Sequence, residues 1–203
     1  MKRIVALSIT AAFFSLAPVV SAADQKKAAA EDTLTIALDV AMDAATARAA
    51  RSDWSITGPV RGDTVILNGI VYAGGTMADG DTTNTFALTD DGRLGTLFVR
   101  GQYIADGAEI ASGAPHSLAS THIFMLDEGS GIITEGLEGA GTEVRAVVGG
   151  FGKYSGATGQ VTEEVLGSNA AGGFNLRFTF SLKVASAQEP SELMSRKARL
   201  RRR

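Results

Sequence analysis

The ten residues Phe174–Lys183, FNLRFTFSLK, alternate strictly between apolar and polar. Phe174, Leu176, Phe178, Phe180 and Leu182 fall on one side of an extended chain. Asn175, Arg177, Thr179, Ser181 and Lys183 fall on the other. Period two is the signature of a half-buried β-strand. A one-residue slip would turn every ring to water, so the register is fixed by the pattern itself. Burying one phenylalanine is worth about 1.5–3 kcal/mol, so this face must line a core or an oligomer contact.

The rest of the chain repeats the theme. Leu34, Ile36, Leu38, Val40 and Met42 alternate with Thr33, Thr35, Ala37, Asp39 and Ala41. That pattern predicts a strand to about Ala41; the alanine-rich 41–50 then favours a helical or irregular piece. β-branched and apolar runs at 64–72, 95–104, 116–127, 132–137, 142–148 and 160–166 complete the series. Glycine-rich turns separate them, and 78–92 forms a long polar loop. Short strands at close spacing, without a strong helix between them, predict an all-β fold. We expect one domain over 33–184, an eight-stranded antiparallel β-barrel. A closed barrel has no exposed edge.

The termini read differently. Lys2 and Arg3 precede an apolar run from Ile4 to Val20, and Val20-Ser21-Ala22 offers small residues for cleavage. Residues 1–22 therefore read as a secretory signal peptide, with no transmembrane segment left in the mature chain. Residues 23–32 read as a linker and 185–203 as a basic disordered tail, and the mature protein is expected to be secreted or periplasmic. There is no cysteine, so the domain must rely on its own core. Between residues 23 and 190 eleven basic residues face 21 acidic ones, a formal charge near −10. An acidic body repels phosphate and argues against a nucleic-acid partner.

The segment at 147–160, VVGGFGKYSGATGQ, sets glycines around a lysine. A phosphate-binding loop of the form GxxxxGK[ST] would need glycine at Val147 and Ser or Thr at Tyr154. The dinucleotide pattern GxGxxG, started at Gly150, would need glycine at Ser155. The residues from Gly156 to Val161 are β-rich and broken by glycine, unlike an amphipathic helix. The segment is expected to turn the chain between two strands.

The same segment resembles the VVGGTGKYxGAxG signature of the allene oxide cyclase and dirigent barrel superfamily, departing at Phe151, where threonine is more usual. The stretches at 61–69, 133–139 and 172–180 are similar to bacterial exported members of that group, and the likeness covers about residues 33–183. The resemblance implies a barrel with a central cavity, often a homo-trimer. In plants such barrels cyclise an unstable oxylipin epoxide or steer the coupling of phenoxy radicals, and neither chemistry needs a metal or organic cofactor. It carries over no catalytic residue, and one fold hosts many uses.

Candidate chemistry therefore rests on polar groups set on apolar faces. Glu135 shares a face with Ile133 and Leu137, Glu163 with Val161 and Val165, and His122 with Phe124 and Leu126. A carboxylate buried in this way would have its pKa raised, and an imidazole at a barrel mouth could act as acid or base. Glu135, Glu163 and His122 are the expected catalytic groups. Tyr154, Phe124 and Phe178 are the expected ligand contacts. Arg145 and Arg177 read as outward charges. Residues 79–84 approach a calcium loop but lack its glycine and its final glutamate, Asn84 and Asp90 standing there instead. With two histidines and no cysteine, no metal site is expected. The expected partner is a small apolar or phenolic molecule held in the lumen. A structural or envelope-associated barrel and a lipocalin-like carrier are the alternatives.

Overall fold

The computed structural model describes residues 33–51, 58–77, 86–126 and 129–184. The expected signal peptide, linker, basic tail and acidic 79–84 stretch lie outside the described residues. The chain forms β1 (Thr33–Ala50), β2 (Thr64–Ala73), β3 (Gly95–Tyr103), a short α1 (Gly107–Ala111), β4 (Leu118–Leu126), β5 (Ser130–Glu138), β6 (Glu143–Phe151), β7 (Thr158–Ser168) and β8 (Phe174–Lys183). Each strand pairs with the next, and β8 closes on β1, giving a closed barrel of eight strands. Every pairing is antiparallel. The all-β expectation and the strand count hold. Among the described residues no helix is long and apolar enough to cross a membrane.

Residues 41–50 depart from the helical expectation. They continue β1, with a register shift between Asp43 and Arg48, after which Arg48–Ala50 pair with Ile66, Val65 and Thr64. At the shift Asp43 Oδ1 accepts from the Ala45 amide at 2.9 Å, and the Thr46 hydroxyl donates to the Asp43 carbonyl at 2.7 Å. Ladder hydrogen bonds to β2 outweigh the weak helix preference of alanine. The five-residue α1, closed by an Asp106–Glu109 capping box, was not foreseen.

The glycine-rich segment turns the chain, as expected. β6 runs to Phe151, one 3-10 turn follows at Gly152–Tyr154, and β7 starts at Thr158. Gly152 has φ 61°, and a Cβ there would lie 2.6 Å from the Ser130 hydroxyl oxygen. No helix follows, so no phosphate cradle forms.

The main core fills the end of the lumen beneath this turn. Leu38, Val40, Val71, Leu97, Phe124, Ile132, Val147, Tyr154, Val161, Phe178, Phe180 and Leu182 pack together there. Phe124 stacks edge-on against Phe178 and Phe180 at 5.0 and 5.1 Å. Phe174 is the exception to its own stripe: it stands exposed where β8 begins. A second cluster, Ala41, Tyr72, Met77 and Leu166, lies on the outer side of the wall, with Ile70, Phe86 and Leu88 packed over it. Beside it Arg177 binds the buried Asp39 carboxylate, Nε donating to Oδ1 at 2.8 Å. Asp39 also accepts from the amides of Gly75 and Met77, at 3.0 and 2.8 Å. Arg177 does point away from the lumen, but it is paired and half-buried rather than solvated.

Candidate functional site

The opposite end of the lumen is polar. In β6 the side chains of Arg145 and Val147 are buried, whereas Val144 and Val148 are exposed. The inside therefore carries the charge and the outside the apolar residues. This reverses the expectation for Arg145, whose side chain is wholly buried. Strand sequence gives alternation but not which face is inward, and the position of Arg145 between Val144 and Ala146 suggested the wrong face.

Arg145 is accommodated by a glycine. Gly136 lies on the neighbouring β5, where a Cβ would sit only 2.9 Å from Arg145 Cγ. The aliphatic stem passes over Gly136 and the guanidinium reaches β4, where Nη2 donates to the Ser120 carbonyl at 2.9 Å and to its hydroxyl oxygen at 2.8 Å. Nη1 donates to the Leu137 carbonyl at 3.4 Å, and Nε reaches Thr134 Oγ1 at 3.5 Å. Two carboxylates flank it, Glu163 at 3.6 Å and Glu138 at 3.7 Å. A buried charge persists only when paired and hydrogen-bonded in this way.

Glu138 and His122 form the second layer. His122 Nε2 lies 2.8 Å from Glu138 Oε1, which also accepts from the Ser120 hydroxyl. The imidazole rests edge-on against Phe178 at 5.6 Å and Phe124 at 6.3 Å. Phe124 and Phe178 therefore form the apolar layer beneath the polar cluster. Tyr103, Glu143 and His116 sit near the strand ends at this rim, with His116 Nδ1 3.3 Å from Glu143 Oε1.

The electrostatics follow from burial. Desolvation, reinforced by the charges of Glu138 and Glu143 against the pull of Arg145, pushes the Glu163 carboxyl from 4.5 up to about 8. Burial likewise lowers His122, and Arg145 adds to this, against the opposing hydrogen bond and charge of Glu138. Burial alone would raise Glu138, but His122, Ser120 and Arg145 together hold it below the ordinary range. At neutral pH the cluster thus holds one cation, Arg145, one anion, Glu138, a neutral imidazole and a largely protonated Glu163. Its buried charges cancel. Burial raises the Tyr103 phenol, as do Glu138 and Asp63.

A ring nitrogen of His122 and oxygens of Glu138 and Glu163 lie within 4.8 Å of one another, a donor set that a cation could use. Against that use, the Arg145 guanidinium already stands 3.6–3.7 Å from both carboxylates, and a divalent ion would add to its charge in a buried cluster.

The structure brings together His122, Glu163, Phe124 and Phe178 from the sequence-expected residues. It separates the other two. Glu135 lies on the outer wall, exposed, accepting from the Thr121 hydroxyl at 3.4 Å. It does share a face with Leu137, but that face is outward, because β5 turns Ile132 and Thr134 inward. Glu135 helps line an outer-wall concavity of about 590 Å³ with Ile66, Arg100, Thr121 and Leu137. Tyr154 is buried in the apolar core beneath the 3-10 turn, at the far end from Arg145, with Lys153 Nζ 5.2 Å from its ring centre. Sequence reasoning missed Glu138 and Arg145 as lumen groups. The signal available was Gly136: a glycine inside a strand marks close approach of something large.

No protein-family model matches this chain, and no curated protein matches it. The similarity lies in solved structures. The chain resembles the pterocarpan synthase dirigent protein PsPTS1, with a TM-score of 0.57 at 12% identity, covering 77% of this chain and 98% of that one. For the pterocarpan synthase dirigent protein GePTS1 the TM-score is 0.53 at 14% identity, covering 86% and 98%. A Diels–Alderase, AbmU from Streptomyces koyangensis, aligns with a TM-score of 0.47 at 14% identity over 83% and 78%. At these identities the likeness to the dirigent proteins is one of fold.

Proposed function

We propose that the chain is an exported barrel that holds an apolar or phenolic small molecule in its lumen, against the polar cluster. There it guides the molecule's cyclisation or coupling in the manner of allene oxide cyclase and dirigent barrels. One observation carries this reading: a carboxyl group buried in the lumen, Glu163, remains protonated near neutral pH beside a neutral imidazole and a guanidinium. Such a carboxyl is suited to give up a proton as negative charge develops on a bound oxygen, and the Arg145 charge 3.6 Å away would stabilise the carboxylate left behind. Phe124 and Phe178 would restrain the apolar part of the guest, favouring one conformer and excluding water. Glu138 fixes the imidazole and balances Arg145, so it is a positioning residue.

Export is supported by the leader-like residues 1–22. A homo-oligomer, a trimer by the resemblance, is supported by the exposed Leu137, Val144 and Val148 on the outer wall of β5 and β6. Glu163→Gln keeps the shape and removes the acid. It is expected to lower turnover of an unsaturated epoxide, or stereochemical control in phenol coupling, by about 10²-fold or more. Undiminished activity in that variant would end the role of Glu163.

The filled apolar half of the lumen favours a second reading, a non-catalytic structural or envelope barrel. That reading expects no small molecule to bind in the lumen at all.

A further inference from the structure

The concavity of about 590 Å³ on the outer wall follows from the strand register. β4 turns Ser120 and His122 inward, so Ala119 and Thr121 face out, and both are short. Longer side chains stand on the strands beside them. Ile66, Arg100, Thr121 and Glu135 form one cross-strand row over β2 to β5. In the next row toward the rim, Leu137 is paired with Ala119. Gly101 and Gly136 add only backbone to the lining. The result is a trough floored by β4, with Ile66 and Arg100 on one bank and Glu135 and Leu137 on the other. Its volume is that of a small-molecule site.

The two banks carry opposite charges that do not meet. The exposed Arg61 and Arg93 each pair with a nearby carboxylate, of Glu109 and Asp90. Arg100 is exposed too, but among the described residues it makes no hydrogen bond or ion pair. Glu135 accepts from the Thr121 hydroxyl at 3.4 Å, a long bond that leans its carboxylate over the floor.

We propose that the trough binds a small zwitterion, an α-amino acid with an apolar side chain. Its carboxylate meets Arg100, its ammonium meets Glu135, and its side chain lies against Ile66 and Leu137. Two strand spacings set the Arg100 and Glu135 backbones about 10 Å apart. With both side chains standing off the sheet, two charge-assisted hydrogen bonds of about 2.8 Å leave about 4 Å for the guest's own separation of charge. That is the scale of an amino acid rather than of a longer peptide. Other guests fit worse. A lone carboxylate is drawn by Arg100 and repelled by Glu135, and a lone ammonium the reverse. A wholly apolar guest would take water from both charges and return nothing. A divalent ion finds a single carboxylate, facing a guanidinium. A two-fold contact with a second copy would set hollow against hollow. The site lies outside the lumen and stands independently of the role given to Glu163.

The test uses the full chain, isotope-labelled at its isoleucine and leucine methyl groups. It is titrated at low ionic strength with L-leucine, isocaproate, which lacks the ammonium, and isoamylamine, which lacks the carboxylate. L-leucine is expected to move the Ile66 and Leu137 methyl resonances. Those of Leu97 and Ile132, buried inside the barrel, should stay in place. Each single-charge analogue should bind about tenfold more weakly, the loss of one charge-assisted hydrogen bond. Arg100→Gln should abolish the advantage of leucine over isoamylamine, and Glu135→Gln its advantage over isocaproate. Both positions are exposed, so both variants are expected to fold. Equal binding of the three probes, or a preference that survives Arg100→Gln, overturns the proposal. So does the absence of any shift at Ile66 and Leu137. If leucine binds only to Val144→Asp, in which the proposed assembly is broken, the trough belongs to a neighbouring copy and the proposal falls. None of these results bears on Glu163, whose role is read from the turnover of Glu163→Gln.

Discussion

Gly136 shows how much of the site one missing methyl group permits. The Arg145 side chain lies where the Cβ of any other residue would be, 2.9 Å from its Cγ. Gly136→Ala must push the Arg145 stem aside and strain the guanidinium's bonds to Ser120, and is expected to cost about 1–3 kcal/mol in thermal or denaturant unfolding. Glu163 gives a pH signature. Its folded pKa of about 8 exceeds the ordinary 4.5, so the native state binds more protons across that interval. Its contribution to stability is fully present below about pH 4.5 and is lost as pH rises toward 8. The slope is at most about 1.4 kcal/mol per pH unit. Melting curves of the unaltered protein and Glu163→Gln, run from pH 5 to 8, should converge at low pH. The unaltered protein should lose the more stability as pH rises. Parallel curves would mean that Glu163 ionises as freely in the fold as outside it.

The strands differ in how plainly they declared themselves. β8 was legible because Leu176, Phe178, Phe180 and Leu182 are all large, apolar and inward, and only Phe174 at its end escapes. β5 and β6 were legible as strands but not as to face. Their inward rows carry Thr134, Glu138, Arg145 and Val147, and their outward rows carry Leu137, Val144 and Val148. A hydrophobicity pattern assumes an oily interior, so it places Glu135 inside and Arg145 outside wherever the lumen is polar. The β1 bulge was hidden for another reason: alanines at 44, 45 and 47 favour a helix locally, and only pairing with β2 draws them into the wall. The Asp39–Arg177 pair belongs to this scale as well. It pins the turn after β2 to the wall through the amides of Gly75 and Met77. Asp39→Ala leaves Arg177 without this carboxylate, and is expected to destabilise the barrel by about 3–5 kcal/mol. Amide exchange should quicken first at Gly75 and Met77. Uniform exchange across the barrel would mean that the pair does not hold this turn separately.

For the barrel as a whole, closure of β8 onto β1 joins the first and last of the described strands, so the wall cannot form until nearly all of the domain has been made. The outward valines of β6 are expected to sit between copies in the proposed oligomer. Val144→Asp should convert the assembly to monomers in sedimentation while preserving the β-sheet circular dichroism. An unchanged sedimentation coefficient would place the contact elsewhere.

The 3-10 turn at Gly152–Tyr154, with Tyr154 sunk into the core beneath it, stoppers one end of the barrel. With that end plugged by a side chain of its own hairpin, the apolar half of the barrel stays dry, and the charged groups Glu138, His122 and Arg145 are gathered toward the other rim.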